Sequence, residues 1–123
     1  MKISVLGAGT WGTALSQVLA ENGNEVGLWH YNNKSAEKMQ VSRKHPNLDS
    51  FLFHENINII SDFSRIPVNT PLVIAIPSHV VRETLSKMKT INPSLVVCAS
   101  KGIENNSMQL MSDVIVESTG WND

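Results

Sequence analysis

The apolar positions of this chain fall into short β-branched runs separated by stretches with helical spacing. Lys2 to Leu6 is the first run; it ends at Gly7 and predicts a buried strand. Trp11 to Asn22 then brings Ala14, Leu15, Val18 and Leu19 onto one helical face. Asn22-Gly23 supplies the stop, because glycine readily takes the left-handed conformation that ends a helix. Glu25 to Trp29 predicts a second strand. Strand, glycine turn, helix and strand within about thirty residues make one βαβ unit.

The middle of the chain is less regular. Lys34 to Arg43 predicts a short helix stopped before His45-Pro46, and His45 to Asn56 a loop or lid with exposed aromatics at Phe51 and Phe53. Ile57 to Ile60 reads as a third strand and Ser61 to Val68 as a turn or a single helical turn. Pro71 to Ile76 predicts a fourth strand, apolar after its opening proline, as strands covered on both faces tend to be. Val80 to Lys89 follows as a helix with Val81, Leu85 and Met88 inward. Leu95 to Ala99 is the fifth strand, and Ser107 to Glu117 a last helix through Leu110, Met111, Val114 and Ile115.

Strands thus alternate with helices or loops along the whole chain. The expectation is an α/β fold of the Rossmann type: a doubly wound, mostly parallel sheet of order 3-2-1-4-5 with helices on both faces. Such a sheet binds ligands where the strand order reverses, here between strands 1 and 4.

Composition narrows the function classes. The chain has 123 residues, 41% hydrophobic and 17% charged, which fits one globular domain over residues 1–123. Ten Lys and Arg against eleven Asp and Glu leave a net charge of −1, without the electrostatic signature of nucleic-acid or membrane-surface binding. No apolar run is long enough for a membrane helix and no leader is recognisable, so the expected location is cytoplasmic. Cys98 is the single cysteine, in the apolar run Leu95-Val96-Val97-Cys98-Ala99, and reads as a buried structural thiol. No metal site is expected.

Gly7-Ala8-Gly9-Thr10-Trp11-Gly12 is a G-x-G-x-x-G that follows a strand and opens a helix, the context that makes such a motif specific for a dinucleotide. Gly7 permits the tight turn, Gly9 lets backbone approach a pyrophosphate, and Gly12 lets helix and strand pack closely. The pyrophosphate would sit at the helix N-terminus, where unpaired N–H groups favour an anion. The residue that grips the adenosine ribose lies about twenty positions on. That count reaches Asn32, in a stretch with no carboxylate and with Lys34 as the nearby cation. An Asp there would repel a 2′-phosphate, so the expected cofactor is NADP or NAD, with NADP slightly favoured.

Pro77-Ser78-His79 follows strand four across the switch point from Gly7. Pro77 ends the strand and Ser78 is placed to cap the next helix, with its neighbours at the nicotinamide end of the cofactor. His79 reads as a solvated helix-start residue rather than a catalytic base. Lys101 follows strand five; strands lie about 4.8 Å apart, so its ammonium could reach back toward strand one. Position alone leaves it between a plain surface charge and a group that binds a substrate phosphate or polarises a carbonyl.

Together these motifs resemble NAD(P)-dependent glycerol-3-phosphate dehydrogenase of the bacterial type. The resemblance rests on Gly7 to Leu15, the Leu28-Trp29 strand end, Ile76-Pro77-Ser78-His79 and Ser100-Lys101-Gly102-Ile103-Glu104, in an order that spans nearly the whole chain. It implies reversible hydride transfer between NAD(P)H and dihydroxyacetone phosphate, a small phosphorylated three-carbon substrate, giving sn-glycerol 3-phosphate for phospholipid biosynthesis. It also implies cofactor contacts from Thr10 and Trp11, and contacts from Lys101 to both cofactor and substrate, which makes Lys101 the catalytic candidate. The full-length family enzyme is a possible homodimer.

Three departures qualify the resemblance. Tyr31 stands where the family commonly has Arg or His at the adenosine end. Phe51-Leu52-Phe53 stands where the family usually has an aromatic, Leu and Pro; Phe51 is expected to keep the aromatic contact to the cofactor. Family members also continue into a helical substrate domain with a second, catalytic lysine, which these 123 residues do not include. Losing a proton acceptor commonly costs about 10²–10⁴ in rate, so the expectation is cofactor binding without useful turnover. Two alternatives stay open: another two-domain dehydrogenase of the hydroxy-acid type, and a free-standing nucleotide-binding module without catalysis.

Overall fold

The computed structural model of the chain describes residues 1–88 and 93–99. Five strands, β1 (Lys2–Leu6), β2 (Glu25–Trp29), β3 (Ile57–Ile60), β4 (Pro71–Ile74) and β5 (Leu95–Cys98), form one sheet of order β3-β2-β1-β4-β5. Every neighbouring pair is parallel. The connections carry α1 (Thr10–Glu21), α2 (Asn33–Ser42) and α3 (Val81–Ser86).

The register explains the near-continuous apolar character of the strands. Leu6 pairs with Trp29 and with Ile74, and Trp29 pairs with Ile60, so these four share one face of the sheet. They pack in one core with Val81, Leu85 and Met88 from α3 and the residues just after it. On the other face, Val5, Val26, Leu28, Ile57 and Ile59 pack with Ala20 of α1 and with Ala36 and Met39 of α2. The doubly wound expectation therefore holds, with a core on each side.

Local signals account for the helix ends. Asn22-Gly23 ends α1, with Gly23 at φ +91° and its N–H on Ala20 O at 3.0 Å. Asn32 caps α2 by accepting the Ser35 N–H at 3.0 Å. α2 ends at Arg43, held left-handed at φ 61°. The Arg43 guanidinium donates to His54 O at 2.6 Å and to Ile57 O at 2.7 Å, which ties the end of α2 to the start of β3.

Several expectations need correction. β4 stops at Ile74 rather than Ile76, although Ala75 N still donates to Leu6 O at 2.8 Å. The helix expected from Val80 is a 3-10 turn, Ser78–Val80, followed by the short α3, so the cap position is Val80 and not Ser78. Phe53 is 5% exposed, not a surface aromatic. Phe51 is half-buried edge-on against it, with ring centroids 5.2 Å apart. The loop is strapped down because His54 N donates to Gln17 Oε1 and Gln17 Nε2 donates to Leu52 O. Cys98 is exposed, since its strand has only β4 beside it among the described residues. The helix expected over 107–117 lies outside the described residues. No described helix is long and apolar enough to cross a membrane.

Candidate cofactor site

The order reversal between β1 and β4 places the glycine turn beside the end of β4. Gly7 sits at φ +112°, and a Cβ there would come within 2.5 Å of the Ala75 carbonyl oxygen. A side chain is excluded twice, by conformation and by the β4 backbone. Gly12 faces the same turn, and its added Cβ would run into the Gly7 carbonyl. These contacts press the first turn of α1 against the end of β1.

Gly9 is different. A Cβ there would meet no protein atom within 4 Å. Gly9 is also the N-cap of α1, with no side-chain cap and no acidic residue in the first turn. The opening amides of α1 thus face space rather than a protein acceptor, which suits an anion. That open backbone position at a helix N-terminus leaves room for a pyrophosphate to approach, so the residues present fit a dinucleotide.

A cleft of about 1780 Å³ runs along the carboxyl ends of the strands. Its floor is the turn from Gly7 to Gly12, flanked by Trp29–Tyr31 after β2, Ala75–Pro77 after β4 and Ala99 after β5. Trp29 is fixed by ring stacking on Phe63 at 4.8 Å and by donation from its indole N–H to Ser61 O at 3.1 Å. Tyr31 is 77% exposed, with its ring 4.7 Å from that of His30. Burial lowers the pKa of His30 from its ordinary value, and the nearby His45 adds to the shift. His30 therefore favours the neutral form where it lines the cleft beside Tyr31.

The structure brings Gly7, Gly9, Thr10, Trp11, Gly12, Tyr31 and Pro77 together on this cleft. Trp11 is 58% exposed at its rim. Ser78 opens the 3-10 turn between the lining residues Pro77 and His79, and His79 is exposed as expected. Phe51 is not among the lining residues; from that loop the cleft is reached by Lys44 to Asn47. Lys101 lies outside the described residues, two positions beyond Ala99.

Sequence reasoning missed the cations. Among the described residues, Lys38, Lys44 and Lys87 line the cleft with Glu83 as the one carboxylate, whereas Lys34 does not line it. The available signal for Lys38 was its place one helical turn beyond Lys34 on α2. His45, 5% exposed, was also missed; its Nε2 lies 2.8 Å from Ala8 O inside the glycine turn. Among the described residues no group of three His, Cys, Asp or Glu side chains could hold a metal.

Comparison with known proteins agrees with this geometry. Residues 2–123 match the family model described as NAD-dependent glycerol-3-phosphate dehydrogenase N-terminus. A glycerol-3-phosphate dehydrogenase [NAD(P)+] of Thermoanaerobacter is 38% identical over 120 residues, covering 95% of this chain and 36% of that protein. The one from Syntrophotalea carbinolica is 36% identical over 121 residues, with the same coverage. The chain thus spans about a third of the length of the curated relatives it matches. The crystal structure of glycerol-3-phosphate dehydrogenase from Coxiella burnetii superposes with a TM-score of 0.87 at 31% identity, over 97% of this chain and 38% of that one. D-mandelate dehydrogenase in complex with NADH shares the fold, at a TM-score of 0.70 and 19% identity. The chain belongs to the family of NAD-dependent glycerol-3-phosphate dehydrogenases, of which it carries the N-terminal part.

Proposed function

We propose that this chain is the cofactor-binding domain of an enzyme that moves a hydride between NAD(P)H and dihydroxyacetone phosphate, forming sn-glycerol 3-phosphate. The observation that carries the reading is Gly9: an open backbone position at the uncapped N-terminus of α1, on the floor of the cleft at the switch point. The Gly9 turn would hold the pyrophosphate, and Tyr31 would border the adenosine. Pro77, with Ser78 beside it, would border the nicotinamide, which supplies the hydride when bound.

Lys101 is assigned to cofactor and substrate contact. Support comes from the family motif and from Ala99, which lines the cleft two residues earlier. An ammonium there would hold the substrate phosphate or polarise its carbonyl as charge develops on oxygen. Turnover needs a proton acceptor as well, and the reading places the second lysine that the family resemblance implies outside these 123 residues. The 123 residues alone are therefore assigned binding without turnover. Substrate-dependent NAD(P)H oxidation by this chain would overturn that assignment. The cofactor is read as NADP or NAD, with NADP slightly favoured because no carboxylate stands between Trp29 and Ala36. The reading includes a cytoplasmic homodimer acting in phospholipid biosynthesis.

The test is calorimetric titration with NADPH and with NADH, repeated with Gly9→Val. Saturable binding that the variant loses supports the reading. Equal binding by the variant would remove the glycine turn from it.

A further inference from the structure

The His45 ring spans two backbone groups. Its Nδ1 accepts the N–H of Asn47 at 3.1 Å, and its Nε2 lies 2.8 Å from the carbonyl oxygen of Ala8. A ring nitrogen that accepts an N–H carries no proton. The neutral ring therefore holds its proton on Nε2 and donates it to Ala8 O.

That bond fixes a peptide plane. In a trans peptide the C=O and the following N–H point in opposite directions. An Ala8 carbonyl turned toward His45 turns the Gly9 N–H away from it. The Gly9 N–H has no partner among the described residues, and it stands beside the amides that open α1. The anchor itself is rigid: Arg43 is tied to His54 O and Ile57 O, and Phe53 N donates to Arg43 O at 2.8 Å. His45 thus links the end of α2 to the glycine turn over 37 residues of sequence.

We propose that His45 is a positioning residue: it holds the Ala8–Gly9 peptide so that the Gly9 N–H is presented to a bound anion. Identifying that anion as the cofactor pyrophosphate rests on the proposed function above. The peptide orientation does not.

The test has three readouts. In the wild-type chain without nucleotide, the ¹⁵N signals of the His45 ring should report a neutral ring protonated at Nε2; protonation at Nδ1 overturns the proposal whatever any variant does. His45→Leu removes the donor at similar bulk. It should move the Gly9 amide resonance while the β1 and β4 amides stay in place. An unchanged Gly9 amide overturns the proposal. His45→Gln offers an amide donor near the Nε2 position and should restore the resonance, which a purely space-filling role would not require. NADH affinity should fall about tenfold in His45→Leu, the worth of one hydrogen bond to a charged group, and recover to within about threefold in His45→Gln. A wild type that binds neither dinucleotide overturns the cofactor reading alone, because the first two readouts are taken without ligand.

Discussion

Gly12 packs directly on Gly7: a Cβ added to Gly12 would strike the Gly7 carbonyl oxygen, with the Cβ of Ala75 3.4 Å away on the other side. Gly7 directly follows β1 and Ala75 directly follows β4, and each donates its N–H back to the sheet, to Trp29 O and Leu6 O, so neither can yield cheaply. Gly12→Ala should therefore lower stability by about 1–3 kcal/mol, the usual cost of overpacking. Gly9→Ala meets no protein atom and should leave the thermal midpoint within about 2 °C of wild type, while weakening dinucleotide binding. Thermal melts of the two variants, paired with NADH titration, check the contrast. Equal destabilisation by both substitutions would contradict the geometry.

His30 makes stability depend on pH in a stated direction. Burial, aided by His45, sets its folded pKa below the ordinary imidazole value of about 6.5. The unfolded chain therefore takes up a proton first as pH falls. Its contribution is fully present above about pH 6.5 and is lost as pH drops toward the folded value. Asp62, whose carboxyl is held low mainly by the N–H of Ser64, acts only in the carboxylate range and does not overlap this window. Urea midpoints should fall between pH 7.5 and pH 5.5, and His30→Gln should flatten part of that slope. A slope that the substitution leaves unchanged would remove His30 as a source.

Arg43 carries more of the fold than a surface arginine usually does. Its backbone is left-handed at φ 61°, and its side chain satisfies two carbonyls of the segment entering β3. Arg43→Met keeps an unbranched stem but loses the guanidinium carbon, which lies 5.9 Å from the Phe53 ring centroid, and leaves those two carbonyls without their donor. A loss of about 1–3 kcal/mol in urea denaturation is expected, with the m-value little changed. The cleft residues Gly7 and Gly9 are remote from this contact in sequence, yet His45 follows Arg43 by two positions. Nucleotide affinity should fall along with stability.

The strands were legible from local apolar runs, their order from the strand–helix alternation that right-handed crossovers impose, and the glycine turn from its place between a strand and a helix. Val5 and Leu6 are buried on opposite faces, and in Leu72-Val73-Ile74 two buried residues flank a half-buried one packed on the other face, which leaves an unbroken apolar signature. The loop from His45 to Asn56 was misread because its burial is decided by distant partners. Phe53 is buried by packing against elements far along the chain, and Gln17 straps the loop through hydrogen bonds that no spacing rule reveals. Cys98 failed for the opposite reason: an apolar run on the edge strand of the described sheet looks the same as one in the centre. The cleft cations escaped notice because the count from the glycine motif lands on Asn32. That side chain is occupied in capping α2, whereas the lysines that line the cleft stand further along the helix and beyond it.

That displacement yields a prediction about cofactor choice. Lys34 follows Asn32 closely in sequence but does not line the cleft, whereas Lys38 and Lys44 do. If the extra phosphate of NADPH is read at the α2 side of the cleft, its recognition should depend on Lys38 or Lys44 and not on Lys34. Exposed charges of this kind are worth little each and are screened by salt, so the expected effect is about twofold to fivefold in NADPH affinity per lysine. Lys38→Gln and Lys44→Gln should weaken NADPH more than NADH, with the difference shrinking at high salt. Lys34→Gln should change neither. Titration of the three variants with both nucleotides at two ionic strengths decides the matter. Equal loss for NADH and NADPH would assign these lysines to the pyrophosphate, and an effect confined to Lys34→Gln would return the discrimination to the position that simple counting chose.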